Sequence, residues 1–222
     1  MLISKRYNFI FVHIYKCGGT SVASALVPYA NLRFRFTYEW FLSRKAIGLF
    51  ERTLCLQDKG QSFFTGYHKH SSALEIRDKL GDSVFNRYYT FTFVRNPFTF
   101  VYSLFRYIGD TRSHKDHAIV RQMSFDQFIE YHIDSNPSTQ KSLISDTNGV
   151  VLVNFVGRFE SITEDFNRLC RDANIPACTL PHLNASTNFT NSIPGRFSSF
   201  AQDQICKYYY DDFESFSYPK SI

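Results

Sequence analysis

The sequence predicts an α/β protein built on a central parallel β-sheet flanked by helices. Phe9, Ile10, Phe11, Val12 and Ile14 form a nearly continuous apolar run of strand length, the pattern of a parallel strand covered on both faces. Tyr88 to Val94 repeats it. Each run leads through a polar turn into a helix start, and strands separated by helical patterns argue for right-handed crossovers.

A chain of 222 residues is long enough to bury a sizeable core, and no repeat, low-complexity tract or Gly/Ser linker interrupts it, so one domain over 1–222 is expected. After the first strand, Lys16, Cys17, Gly18, Gly19, Thr20 and Ser21 bring backbone N–H groups, hydroxyls and one ammonium to a helix N-terminus, which favours an anion. The helix should run from about Thr20 to Leu26 and stop before Pro28. Residues 31–60 mix apolar Phe34, Phe36, Trp40, Phe41, Ile47, Leu49 and Phe50 with basic side chains; a helix and an irregular lid both fit.

In residues 63–81 a short apolar strand leads into His68 and His70, then into a helix. Ser72 and Glu75 have capping-box spacing, Ala73, Ile76 and Leu80 share a face, and Gly81 is the stop signal. His70 thus precedes a helix N-terminus, which disfavours a charged ring and leaves an imidazole able to accept a proton. Satisfying a backbone group at the helix start is the alternative role for either histidine. In residues 88–109, Pro97 suits a first helical turn, Phe98, Val101, Phe105 and Ile108 recur at helical spacing, and Gly109 ends the helix. Arg95 emerges at a strand's C-terminal end with Ser103 eight residues on, where open α/β sheets bind ligands. A surface salt bridge is the bland reading of such an arginine.

Thr111 to Arg121 reads as a polar, mobile loop, either lining an acceptor entrance or simply solvated. Ser124 and Gln127 cap a helix with Phe125, Phe128 and Ile129 inward. Residues 134–149 are loop, Val150 to Val156 a buried strand, and Ser161 with Glu164 a third capping box ahead of Ile162, Phe166 and Leu169. Residues 180–186 form a proline-punctuated loop, Ala201 to Phe213 an amphipathic aromatic helix, and the tail frays.

The net charge of +5 and pI near 8.9 fit an anionic ligand or acceptor, but without a Lys/Arg block they do not require nucleic acid. The 18% aromatic content is mostly core material, with stacking platforms as the alternative. Five cysteines, Cys17, Cys55, Cys170, Cys178 and Cys206, form no CxxC pair, so neither a disulfide framework nor a zinc site is suggested, and a reducing, cytoplasmic setting is expected. The alternative is the lumenal catalytic domain of a truncated membrane-anchored enzyme, in which the sequons at Asn184 and Asn188 would matter. The opening apolar run is far shorter than a bilayer span and reads as strand, not signal.

Two strand-to-helix turns, one with Lys16 to Ser21 and one with Arg95 and Ser103, make two anion sites and fit a ligand with phosphate at both ends of its ribose. The P-loop signature GxxxxGK followed by Ser or Thr is absent, so ATP or GTP with magnesium fits less well.

These residues resemble the sulfotransferases that use 3′-phosphoadenosine 5′-phosphosulfate (PAPS), in the branch of the carbohydrate and heparan sulfate 2-O-sulfotransferases. HIYKCGGTS is similar to the family's 5′-phosphosulfate loop, usually HIPKTGGTS, and FVRNPFTFVYS to its 3′-phosphate motif. KHSSALEIRDKLG, VNFVGRFESITEDF and LPHLNAS resemble later blocks in the family's order. The resemblance implies a P-loop-like three-layer fold and in-line transfer of a sulfuryl group to an acceptor hydroxyl, on a carbohydrate or glycan. It makes His70 the general base and Lys16 the group that neutralises the leaving oxygen. Lys16, Cys17, Gly18, Gly19, Thr20 and Ser21 would hold the 5′ end, and Arg95 and Ser103 the 3′-phosphate. His68 would support His70 or the acceptor, His182 and Asn184 would close over nucleotide or acceptor, and no metal is implied. Tyr15 replaces the usual proline, Cys17 the usual threonine, and Phe98-Thr99-Phe100 the usual aromatic-Asp-Arg; loss of a hydroxyl at Cys17 implies a weaker hold on the donor. Cys17 is either oxidation-sensitive or a small inert filler. A P-loop-type nucleotide kinase and a catalytically silent relative that binds adenosine 3′,5′-bisphosphate (PAP) are the competing readings.

Overall fold

The computed structural model describes residues 1–35, 65–181 and 197–221. In chain order the elements are β1 (Leu2–Ser4), β2 (Phe9–Phe11), α1 (Gly19–Leu26), α2 (Ala73–Leu80), α3 (Asp82–Phe85), β3 (Tyr89–Val94) and α4 (Pro97–Asp110). There follow α5 (His117–Val120), α6 (Phe125–Asp134), β4 (Phe155–Arg158), α7 (Ile162–Asp172), α8 (Ser199–Tyr208) and α9 (Tyr210–Ser215). The chain divides into two compact units, Met1–Val94 with Ser142–Asn184 and Arg95–Lys141 with Ala185–Ile222.

The first unit holds a sheet of order β1-β2-β3-β4. β2, β3 and β4 are parallel, with Phe9 opposite Tyr89 and Phe91 opposite Phe155. Thr90 to Val94 are all buried, as a strand covered on both faces requires. β1 adds an antiparallel edge, Leu2 opposite Phe11, reached through a turn in which Asn8 takes φ 50°. Phe11 stacks on Phe91 at 5.4 Å, and Phe93 meets Phe155 at 6.4 Å. Gly157 makes room for Phe93, whose Cε1 and Cδ1 would lie 2.5 and 2.7 Å from an added Cβ.

Several predicted boundaries move, each for a local reason. The strand predicted at Val150 to Val156 forms only over Phe155–Arg158, leaving Val150 and Val151 exposed. Asn154 sets the start, because its Oδ1 accepts from Thr90 N–H at 2.8 Å and its own N–H donates to Thr90 O at 2.8 Å. The Ser161/Glu164 box does not form. Ser161 donates instead to Asp165 Oδ2 at 2.9 Å, which also accepts from Arg158 N–H at 2.8 Å. The strand predicted before His68 is not found at Thr65 to Tyr67, where Thr65 Oγ1 accepts from Tyr67 N–H at 3.2 Å in a turn; Phe63 and Phe64 lie outside the described residues. The α-helix after the glycines does end at Leu26, and Pro28 sits in one 3₁₀ turn, Val27–Tyr29.

The second unit packs α4, α6, α8 and α9 around aromatic rings. Phe98 contacts Phe213 at 5.1 Å, Phe100 meets Tyr209 at 5.9 Å, and buried His132 bonds Tyr209 Oη at 2.8 Å. The Ser124/Gln127 capping box forms, with Phe128 and Ile129 fully buried. Helix α4 runs through Gly109 to Asp110, since nothing at Gly109 imposes a left-handed turn. The polar segment 111–121 carries the helical turn α5, anchored by fully buried Val120. The predicted helix from Ala201 to Phe213 is two helices broken at Tyr209 (φ −95°, ψ 24°). The tail does not fray: Phe216 and Tyr218 are buried and Tyr218 N–H donates to Phe213 O at 3.0 Å. Cys17, Cys170, Cys178 and Cys206 are free thiols, and among the described residues no helix is long and apolar enough to cross a membrane.

Candidate functional site

Past β2 the ladder continues for one more bond, Val12 N–H to Phe91 O at 2.9 Å, before the chain turns. Lys16 (φ 62°) and Gly18 (φ 75°) both adopt the left-handed conformation, which costs a lysine about 1–2 kcal/mol. Gly18 is the N-cap of α1, and its carbonyl accepts from Ser21 N–H at 3.0 Å and Val22 N–H at 3.3 Å. This helix end has no side-chain cap and no acidic residue in its first turn. α2 differs, since Ser72 and Glu75 close its N-terminus with bonds of 3.1 and 3.0 Å. The N-terminus of α1 therefore presents the partial positive charge that draws an anion.

Both loop glycines are closely approached by side chains from other elements. A Cβ on Gly18 would strike Ile162 Cδ1 and sit 3.0 Å from Phe159 Cδ2, so the block GRFESIT packs directly over the loop. A Cβ on Gly19 would overlap the His13 ring, whose Cγ would be 3.1 Å away with Cδ2 and Nε2 closer still. Cys17 is fully buried, in keeping with a small filler.

His13 links this loop to His70. It is buried, its ring lies 4.7 Å from the His70 ring, and its carbonyl oxygen is 2.8 Å from His70 Nδ1. A carbonyl only accepts, so Nδ1 carries the proton and Nε2 keeps the lone pair. Tyr15 meets the same ring edge-on at 6.0 Å. Burial, then the charge of Lys69, push His70 down to about 3 against the opposing pull of its bond to His13. The ring is neutral near pH 7 as the sequence predicts, although burial rather than the helix end is the main cause. Burial, followed by the neighbouring His70, also holds His13 well below the usual imidazole range. His68 is exposed, its N–H donating to Ser71 Oγ at 3.1 Å.

In the second unit, Arg95 and Ser103 are both buried, which removes the surface-salt-bridge reading for the arginine. Arg95 Nε donates to Thr99 Oγ1 at 2.9 Å, and Thr99 Oγ1 donates to Asn96 O at 3.0 Å. Thr99 and Ser103 are one helical turn apart on α4 and share a face. Thr99, a departure from the family pattern, thus orients the arginine. Gln140, fully buried, holds the Arg95 backbone through two bonds of 2.8 Å, and its Nε2 also donates to fully buried Asp212 Oδ2 at 3.3 Å.

The first unit thus gathers Lys16 to Ser21 with His70, and the second carries Arg95 and Ser103. His182, Asn184 and residues 36–60 of the segment read as helix or irregular lid lie outside the described residues. Sequence reasoning missed His13, Thr99, Gln140 and Asp212. Thr99 carried a signal in its position one turn after Arg95, and His13 in heading the HIYKCGGTS motif; Gln140 and Asp212 carried none. Among the described residues no three His, Cys, Asp or Glu side chains gather to hold a metal ion.

A strand end, a left-handed loop and an uncapped helix define an α/β protein of the kind that holds anions at the carboxyl ends of its strands. The chain belongs to the sulfotransferase family, whose model matches residues 1–219. Its members are enzymes that transfer a sulfuryl group to an acceptor hydroxyl. No curated protein and no solved structure matches the chain significantly.

Proposed function

We propose that this chain takes its sulfuryl group from PAPS and delivers it to a hydroxyl of a carbohydrate or glycan. The observation that carries the donor reading is the uncapped N-terminus of α1 behind Lys16, with Gly18 in the left-handed conformation and Gly19 where an added Cβ would clash with the His13 ring. Backbone N–H groups around Cys17, Gly18 and Gly19, with the Thr20 and Ser21 hydroxyls, hold the 5′ phosphosulfate, and Lys16 neutralises charge on the leaving oxygen. Arg95 and Ser103 hold the 3′-phosphate.

His70 is the general base. Its Nε2 keeps a lone pair because Nδ1 is tied to the His13 carbonyl at 2.8 Å. The ring is a weak base at about 3, and an anionic ligand beside it raises that value toward the working range. Lysine, arginine and helix N-termini supply the positive charge, so the reaction as proposed needs no metal. A reducing, cytoplasmic setting remains our proposal, and it is supported by the cysteine spacing alone.

Thermal melting with added nucleotide tests the donor reading, because only a ligand that binds the folded state stabilises it. PAP should raise the melting temperature while ATP with magnesium does not. The opposite result would favour a nucleotide kinase, and no protection by PAP would overturn the donor assignment.

A further inference from the structure

We infer that Gln140 and Asp212 are positioning residues for Arg95 and, through it, for the 3′-phosphate of the donor; this rests on the reading of Arg95 given above. The last paired residue of β3 is Val94, opposite Arg158. Arg95 follows where the ladder has ended, and its buried N–H and C=O still need partners. The Gln140 side chain supplies both, Oε1 accepting from Arg95 N–H at 2.8 Å and Nε2 donating to Arg95 O at 2.8 Å. One amide therefore replaces a neighbouring strand for the single residue that carries the guanidinium.

Asp212, at the start of α9, fixes that amide. Its Oδ2 accepts from Gln140 N–H at 3.0 Å and from Gln140 Nε2 at 3.3 Å, and its Oδ1 accepts from Lys141 N–H at 2.8 Å. Gln140 and Asp212 are fully enclosed, a costly place for a carboxylate, where an apolar pair could fill the same volume. What the polar chain adds is orientation. The backbone of Arg95 is held by Gln140 and its head by Thr99 at 2.9 Å. An arginine fixed before the ligand arrives loses little side-chain entropy on binding.

The test is calorimetric titration of PAP and of AMP, which lacks the 3′-phosphate, into wild type, Gln140→Leu, Asp212→Asn and Arg95→Ala, with steady-state kinetics on PAPS. Gln140→Leu is expected to weaken PAP about 10-fold while leaving AMP within about 2-fold, as loss of hydrogen bonds serving one phosphate requires. Donor KM should rise about 10-fold with kcat within about 2-fold, the signature of lost uniform binding. A residue that only supports the fold would lower the active fraction, reducing apparent kcat at constant KM, or would weaken both nucleotides alike; either result overturns the inference. If Gln140→Leu does not fold, Asp212→Asn changes charge at constant shape and gives the same comparison. Arg95→Ala losing PAP while Gln140→Leu and Asp212→Asn retain it would sink the positioning role alone. Arg95→Ala binding PAP as wild type does would sink the reading of Arg95 itself.

Discussion

Replacing Gly19 with alanine tests how the anion loop and the histidine pair are mechanically joined. The new Cβ would lie 3.1 Å from His13 Cγ and deeper still into the rest of that ring. His13 has nowhere nearby to go, since it is buried and stacked at 5.4 Å on Phe11 and at 4.7 Å from His70. Over-packing of this kind costs about 1–3 kcal/mol, and for a chain of this size about 2 kcal/mol lowers the melting temperature by roughly 4–8 °C. Turnover should fall further than stability. With the ring unable to turn aside, the clash is relieved by a shift of the His13 backbone, whose carbonyl fixes His70 Nδ1, and a displacement on the order of 1 Å costs about 100-fold in rate. Gly109→Ala is the control, because nothing lies within 4 Å of its added Cβ; it should stabilise α4 by about 0.5–1 kcal/mol. Melting by circular dichroism and a sulfuryl-transfer assay read both effects. A Gly19→Ala protein with wild-type melting and wild-type turnover would refute the coupling.

His70→Ala should cut turnover by about 100-fold or more yet keep PAP affinity within about 3-fold, measured by kinetics and calorimetry side by side; undiminished turnover would remove His70 as the base. Ser72→Ala deletes the capping bond of α2 and should cost about 1 kcal/mol in urea unfolding. Burial lifts the Asp212 carboxyl from 3.8 to about 6 against three N–H donors that pull it down. A carboxyl raised in the folded state stabilises fully below its unfolded value, and that contribution is lost as pH rises through about 6. The separation is worth about 3 kcal/mol, so the stability of wild type relative to Asp212→Asn should fall by about that much between pH 4 and pH 7. Burial depresses His13, His70 and His132; they act in the opposite sense but are common to both proteins and cancel in the difference. Parallel pH profiles for the two proteins would contradict the burial argument.

What could be read from the sequence was local. β2, β3 and the helix after Asn96 follow from apolar runs and a first-turn proline, and the boxes at Ser72/Glu75 and Ser124/Gln127 each need only four residues to form. The errors arose where a distant partner decided between equal local choices. Val150 to Val153 is as apolar as the true strand, and the start of β4 is set by Asn154 bonding Thr90, 64 positions away. At Ser161 a carboxylate four residues on outcompeted the one three residues on. The site divides in the same way. Lys16, the glycines, His70 and Arg95 sit in short motifs. His13 works through a carbonyl bond to a residue 57 positions away, Gln140 grips Arg95 from 45 away and Asp212 grips Gln140 from 72 away, so no window of sequence holds both ends. Thr99, which replaces an aspartate in the family pattern, kept a place in the site by bonding the arginine.

The most direct test of the central claim is transfer of a labelled sulfuryl group from PAPS to a panel of hydroxylated glycans. Label is expected on at least one acceptor with wild type, and is expected to be lost with both Lys16→Ala and His70→Ala. Label that remains on the donor across the panel, in a protein that still binds PAP, would contradict it.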